Sequence, residues 1–427
     1  MLISFTAKNF RSIKEPVTLD LEAMGQVSEL PENVIEAPRH RLLRSAVIYG
    51  ANGSGKSNII KAFQAFIRFL KHSGMMSKGA PIQQAEAFAL GRDEWSHSPS
   101  FFQIEFLKDG SRYRYGYSID RAKVHSEWLC QSTKIKEHIL FERDESGLTL
   151  GKAFAEGNSA KKLNLLRDNG LFLPLCAQLN GEISNAVLDS LFKIAVISGI
   201  DDLELRPFSY SFIDDDAQKQ RLLRALNQAD FGITDVFKRK FSSETLPAEL
   251  RSQAQKLHPN DEMLFVQRQT FNEHGEALGS TSWRFEDSES EGTQKYFHLM
   301  APVLACLDQG QVLFIDELDA RLHSKLTLNL IDLFHDPVIN AKGAQLIFST
   351  HDTNLLAAEL FRRDQIYFTE KNRLAATQLY SLAEFKIEGG KKVRNDASYE
   401  KDYLKGRYGA VPVLGDLEAM HPQVQDQ

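Results

Sequence analysis

The run GANGSGKS at residues 50–57 limits what this chain can fold into more than any other feature. It has the spacing G-x-x-x-x-G-K-[ST], it ends the apolar run AVIY, and it opens a stretch of helical periodicity reaching to about residue 70. Strand, glycine-rich turn and helix in that order predict an α/β fold in which a phosphate rests on a helix N-terminus. Glycines at Gly50, Gly53 and Gly55 let successive backbone N–H groups point inward as an anion nest, with Ala51, Asn52, Ser54 and Asn58 completing the cradle. Lys56 supplies positive charge to the outer phosphates, and the Ser57 hydroxyl is the expected ligand of Mg2+.

Two later segments read as partners of that turn. In QVLFIDELDARLH, residues 311–323, a buried-type strand ends in Asp316 and Glu317. Carboxylates there project at the strands' C-terminal edge, where open α/β sheets bind ligands. Asp316 suits the surroundings of Mg2+, and Glu317 suits a general base acting on water. The following strand, AQLIFS, ends in Thr350, His351 and Asp352, so His351 is expected on the same edge, within reach of a terminal phosphate or the attacking water.

Around these motifs the chain divides by periodicity. Strands are predicted near residues 2–9, 44–50, 99–107, 111–119, 262–271, 280–285, 311–317, 344–352 and 365–370. Residues 157–237 have amphipathic helical spacing instead. The expected organisation is an N-terminal part over residues 1–150, a helical insertion over 151–245 and a C-terminal part over 246–427.

The remaining composition narrows function rather than fold. A net charge of −6 gives no global attraction to nucleic acid, leaving only small basic clusters at Lys238, Arg239 and Lys240 and at Lys391, Lys392 and Arg394. Cys130, Cys176 and Cys306 lie far apart, without metal or disulfide spacing, which fits a reducing cytoplasm. No run of 18 apolar residues occurs, so no membrane span is expected.

The P-loop, the stretch ESEGTQK at residues 289–295, Asp316-Glu317, Leu318-Asp319 and His351 occur in the order found in ABC-type ATPases. The opening MLISFTAKNFRSI resembles the SMC, RecF and OLD branch, and the ending YLKGRYGAVP resembles compact bacterial Rlo and abortive-infection ATPases. The resemblance implies an ABC-type P-loop head: a mixed sheet with helices, an antiparallel β subdomain and an inserted helical lobe. It also implies ATP and Mg2+ as ligands. Ser290, Gly292 and Thr293 match a signature that reaches across a dimer to the partner's nucleotide. Asp319 would take part in binding the nucleotide, and Arg11 would contact phosphate. A magnesium-contacting glutamine is expected at Gln131 or Gln103.

The resemblance further implies a homodimer or higher homo-oligomer closed by ATP, a separate effector such as a nuclease or toxin, and a place in bacterial defence. A DNA-clamping repair factor and an ATP-assembled scaffold are the alternatives, and DNA would be a ligand of the former. The second signature position, Glu291, departs from the glycine of transporters. About 75 residues follow His351, too few for an added nuclease domain of usual size.

Overall fold

In a computed structural model the described residues are 1–90, 98–133, 136–201, 203–229, 231–240, 262–356, 359–386, 392–394 and 397–412. Among them the central sheet runs, in spatial order, β11 (Ala195–Ser198), β15 (Val312–Asp316), β16 (Gln345–Ser349), β5 (Ser45–Gly50), β17 (Ile366–Lys371) and β18 (Thr377–Ser381). Neighbours from β11 to β17 pair in parallel, and β18 closes the edge antiparallel to β17. Such strands are covered on both faces, which is why they read as continuous apolar runs.

The alternation of strand side chains still divides them between two cores. Ala46 and Ile48 of β5, with Val312 and Phe314 of β15, enter one core; Val47, Tyr49, Leu313 and Ile315 enter the other. The first core also takes the helix Lys56–His72 and a second, antiparallel sheet of order β10-β9-β8-β7-β6-β1-β2. Its strands are β10 (Gly147–Leu150), β9 (Glu137–Asp144), β8 (Val124–Ser132), β7 (Ser111–Ile119), β6 (Ser100–Lys108), β1 (Leu2–Lys8) and β2 (Val17–Asp20).

The helix lies between the sheets. Phe63 stacks on Phe314 of β15 at 4.3 Å and meets Phe5 of β1 edge-on at 4.9 Å. Each such buried ring contributes roughly 2–3 kcal/mol from area removed from water, so the helix is anchored on both faces. Lys56, its first residue, is thereby fixed against the end of β5.

The stretch expected as a helical insertion, residues 151–245, is not a lobe of its own in the described residues. Helices at Gly157–Lys162, Phe172–Gln178 and Glu182–Phe192 join the first core, whereas Arg206–Phe212 and Asp216–Gln228 join the second. Between the two groups β11 enters the central sheet beside β15. Four residues, AVIS, make that strand, and the surrounding helical periodicity hides it. The boundary at 245/246 lies outside the described residues. Beyond Phe212, β12 (Asp235–Lys240), β13 (Glu262–Phe271) and β14 (Ala277–Arg284) form a small antiparallel sheet that leads into the helix Glu291–Gln309.

Candidate functional site

The P-loop is built from backbone that only glycine tolerates. Gly50 and Gly55 have φ of 155° and 113°, and a Cβ at either would strike Thr369 or Thr377 of the adjoining strands. The cradle is laced shut by hydroxyls: Ser54 Oγ lies 2.7 Å from Thr369 Oγ1, and Thr377 Oγ1 donates to the Ser54 carbonyl at 2.9 Å. The helix starting at Lys56 has no side-chain cap, so its first N–H groups remain available to an anion.

Lys56 is buried, and its Nζ donates to the Gly50 and Ala51 carbonyls at 2.8 and 3.3 Å. Burial lowers its pKa, and the Glu317, Asp316 and Asp319 carboxylates oppose that shift. Ser57 Oγ donates to Asp316 Oδ1 at 3.2 Å. A hydroxyl and a carboxylate oxygen thus meet beside the nest, a hard oxygen pair that suits Mg2+ shared with phosphate. Asn58, on the next position, sends its amide to Ser12 Oγ at 2.6 Å rather than into the cradle. Asn52 and Gly53 are exposed at the tip.

β16 lies between β5 and β15, so the ends of all three form one edge. Ser349 Oγ, at the end of β16, donates to Asp316 Oδ1 at 2.6 Å and accepts from the Glu317 N–H at 2.8 Å. Glu317 has φ of 56°, a left-handed conformation that costs a non-glycine residue on the order of 1 kcal/mol and places it outside the line of β15. Gly199, which follows β11, closes the other side: its N–H donates to the Asp316 carbonyl at 2.7 Å, and a Cβ there would strike the Glu317 carbonyl. His351 is exposed yet surrounded by enough protein that desolvation, and then the Lys56 charge, lowers its pKa, leaving the ring neutral at pH 7. Asp319 accepts the His351 backbone N–H at 3.2 Å.

The ESEGTQK stretch is a helix start. Ser290 is the N-cap; its Oγ accepts from Thr293 N–H at 3.2 Å and lies 2.9 Å from Thr293 Oγ1. Glu289, buried, takes one Nη of Arg268 from β13 at 2.9 and 2.7 Å on its two oxygens. Gly292 backs onto the Arg321 carbonyl, 3.0 Å from where a Cβ would sit. One turn further in, the Nζ of fully buried Lys295 donates to the carbonyls of Glu317, Leu318 and Ala320.

With this geometry in place, a family model described as "AAA domain, putative AbiEii toxin, Type IV TA system" matches residues 45–357, more than half of the chain. The chain belongs to this family. Its AAA domain is of the P-loop ATPase type, and the match takes in the nest, β15, β16 and the Ser290 turn alike. No curated protein matches the chain.

Other expected members of the AAA site lie elsewhere. Arg11 is engaged by Glu86 through two hydrogen bonds of 2.7 and 3.0 Å, so its guanidinium is committed to a carboxylate rather than turned to the nest. Its neighbour Ser12 approaches instead, bonding Thr377 Oγ1 at 2.7 Å. Gln131 donates to Tyr113 Oη and Gln103 accepts from Arg114, both within the antiparallel sheet. Of the basic clusters, Lys238 is paired with Asp214 and Glu262, and Lys391 lies outside the described residues. Among the described residues no helix is long and apolar enough to cross a membrane.

Sequence reasoning missed Ser349, Gly199, Thr369, Thr377, Arg268 and Lys295. Only Ser349 carried a signal, as the polar residue ending the apolar run of β16.

Proposed function

We propose that this chain binds ATP with Mg2+ and hydrolyses it, and that two copies close around the nucleotide to control a separate effector, a nuclease or toxin, in bacterial defence. The observation that carries the reading is the gathering of Lys56, Ser57, Asp316, Glu317 and His351 at the ends of three adjacent parallel strands, within electrostatic reach of one another. The nest and Lys56 would hold the phosphates. Mg2+, held by Ser57 Oγ and Asp316, would supply charge neutralisation at the phosphates. Glu317 takes the proton of a water whose oxygen attacks the γ-phosphorus, and the bond to the β–γ bridging oxygen breaks to release ADP. Neutral His351 is suited to accept from that water or donate to the γ-phosphate.

In the closed pair Ser290, Gly292 and Thr293 of one copy would face the nucleotide of the other, with Asp319 at the junction. The exposed Ser290 and the helix start behind it support this placement. The branch suggested by the motifs, SMC, RecF and OLD, belongs to the same reading. The defence setting draws on the family description, which names a toxin of a type IV system.

Glu317→Gln tests the reading: ATP affinity should persist while turnover falls roughly a hundredfold, and an ATP-dependent dimer should accumulate in light scattering. Turnover at the wild-type rate would reject Glu317 as the base.

A further inference from the structure

We propose that Lys295 is a positioning residue for Glu317, coupling the Ser290 helix to the carboxylate that ends β15 within one chain. The proposal rests on the ATPase reading above.

Lysine is rarely buried completely, because its ammonium must be stripped of water. Lys295 is 0% exposed, and its Nζ donates to the Leu318 carbonyl at 2.8 Å, more distantly to that of Glu317 at 3.5 Å, and closely to that of Ala320. These carbonyls belong to the short loop that begins with the left-handed Glu317. The loop's N–H groups are held from the opposite side by β16: Glu317 N–H donates to Ser349 Oγ at 2.8 Å and Leu318 N–H to the Ser349 carbonyl at 3.1 Å. The loop is therefore clamped between an acceptor strand and a donor lysine. An apolar residue at 295 would fill the volume and leave the buried Leu318 carbonyl unpaired, at about 1–3 kcal/mol, and the Ala320 carbonyl without its ammonium, while the Glu317 carbonyl keeps the Ala320 N–H at 3.2 Å.

The direction of the Glu317 side chain follows from its backbone, and that backbone occupies an uncommon region that persists only when its surroundings over-determine it. Lys295 supplies part of that determination from the helix whose first turn bears Ser290 and Gly292. Any movement of this helix carries the ammonium with it and displaces the carbonyls of Glu317 and its neighbours. Nucleotide is held elsewhere, by the nest and Lys56. Loss of the clamp should therefore act on turnover and not on affinity.

The test is a double-mutant cycle with Lys295→Met and Glu317→Gln, reading turnover under saturating and single-turnover conditions, affinity for a non-hydrolysable ATP analogue, and melting temperature. Lys295→Met should lower turnover at least tenfold with affinity changed less than threefold. In the Glu317→Gln background it should lower the residual rate by less than twofold, because the group it positions is already gone. An unchanged turnover in Lys295→Met, or an equal loss in both backgrounds, overturns the proposal.

If Lys295→Met does not fold, Lys295→Arg replaces it in the cycle. That variant keeps the cation but donates from a planar fork. Its loss of turnover should likewise vanish in the Glu317→Gln background, and equal losses there overturn the proposal. A Glu317→Gln protein with wild-type turnover would instead remove Glu317 as the base, the part of the ATPase reading on which the proposal stands, whereas a wild-type protein without turnover would remove the ATPase reading itself.

Discussion

Two helix N-termini meet the candidate site, and they are finished in opposite ways. The helix Lys56–His72 begins without a side-chain cap, behind a nest whose glycines leave the N–H groups open. The helix Glu291–Gln309 begins with a cap from its own chain, Ser290 Oγ on Thr293 N–H. An open N-terminus is a preformed anion site, whereas a capped one must exchange a satisfied hydrogen bond for any ligand it accepts. The first is thus open to an anion as it stands. The second is held ready by ties to the rest of its chain, through Arg268 on Glu289 and Lys295 on the loop after β15.

Lys56→Ala attacks the open terminus and should have the largest effect. It removes the buried cation of the cradle, so ATP affinity should fall at least a hundredfold by calorimetry, in keeping with the loss of a charge-assisted contact of about 3 kcal/mol. Retained affinity would erase the distinction between the two termini.

Gly292→Arg attacks the capped terminus and should separate the two functions. Affinity of the single chain for ATP should change less than threefold, while ATPase activity falls more than tenfold, because the added side chain crowds the Arg321 carbonyl of its own chain and obstructs the helix start proposed to meet a second copy. Mixed with Lys56→Ala in one linked dimer, it should recover activity, since one composite site then has both halves intact. A linked dimer as inactive as its parents would argue that the Ser290 turn serves its own chain.

The smallest effect concerns the packing of the capped helix. His298 lies buried between Phe285 and Phe297, and burial lowers its pKa to about 4; His335, buried beside Ser45, is lowered to about 3. Both are neutral when folded and take up a proton on unfolding below the ordinary histidine pKa of roughly 6.5. Stability is therefore fully present above that pH. It should fall by on the order of 1 kcal/mol per pH unit for each histidine as the pH drops towards the folded values. Urea unfolding at pH 7, 6 and 5 should show this loss, and His298→Phe should show a shallower one.

Much of the site was legible because its parts are contiguous. The eight residues of the P-loop, the pair at the end of β15 and the cap at Ser290 each state their chemistry within a few positions. The fold was legible where strands carry long apolar runs. It was not legible at β8 and β9, which cross a polar region, or at β11, where four residues stand among helices. The pairing of Arg11 with Glu86 was not legible, because Glu86 lies in a segment without periodicity.

The sequence by itself determined that a phosphate cradle sits between a strand and a helix and that two carboxylates follow a buried strand, since backbone conformation and strand ends depend on neighbours along the chain. Tertiary structure alone decided that β16 lies between β5 and β15, bringing Ser349 against Asp316 and Glu317, and that β11 brings Gly199 against the Asp316 end. It also decided the fate of Lys295, which as sequence is one more lysine on a helix. Its partners are backbone carbonyls of a distant loop, and a carbonyl is common to every residue, so no side chain in the sequence could announce where the ammonium would be buried.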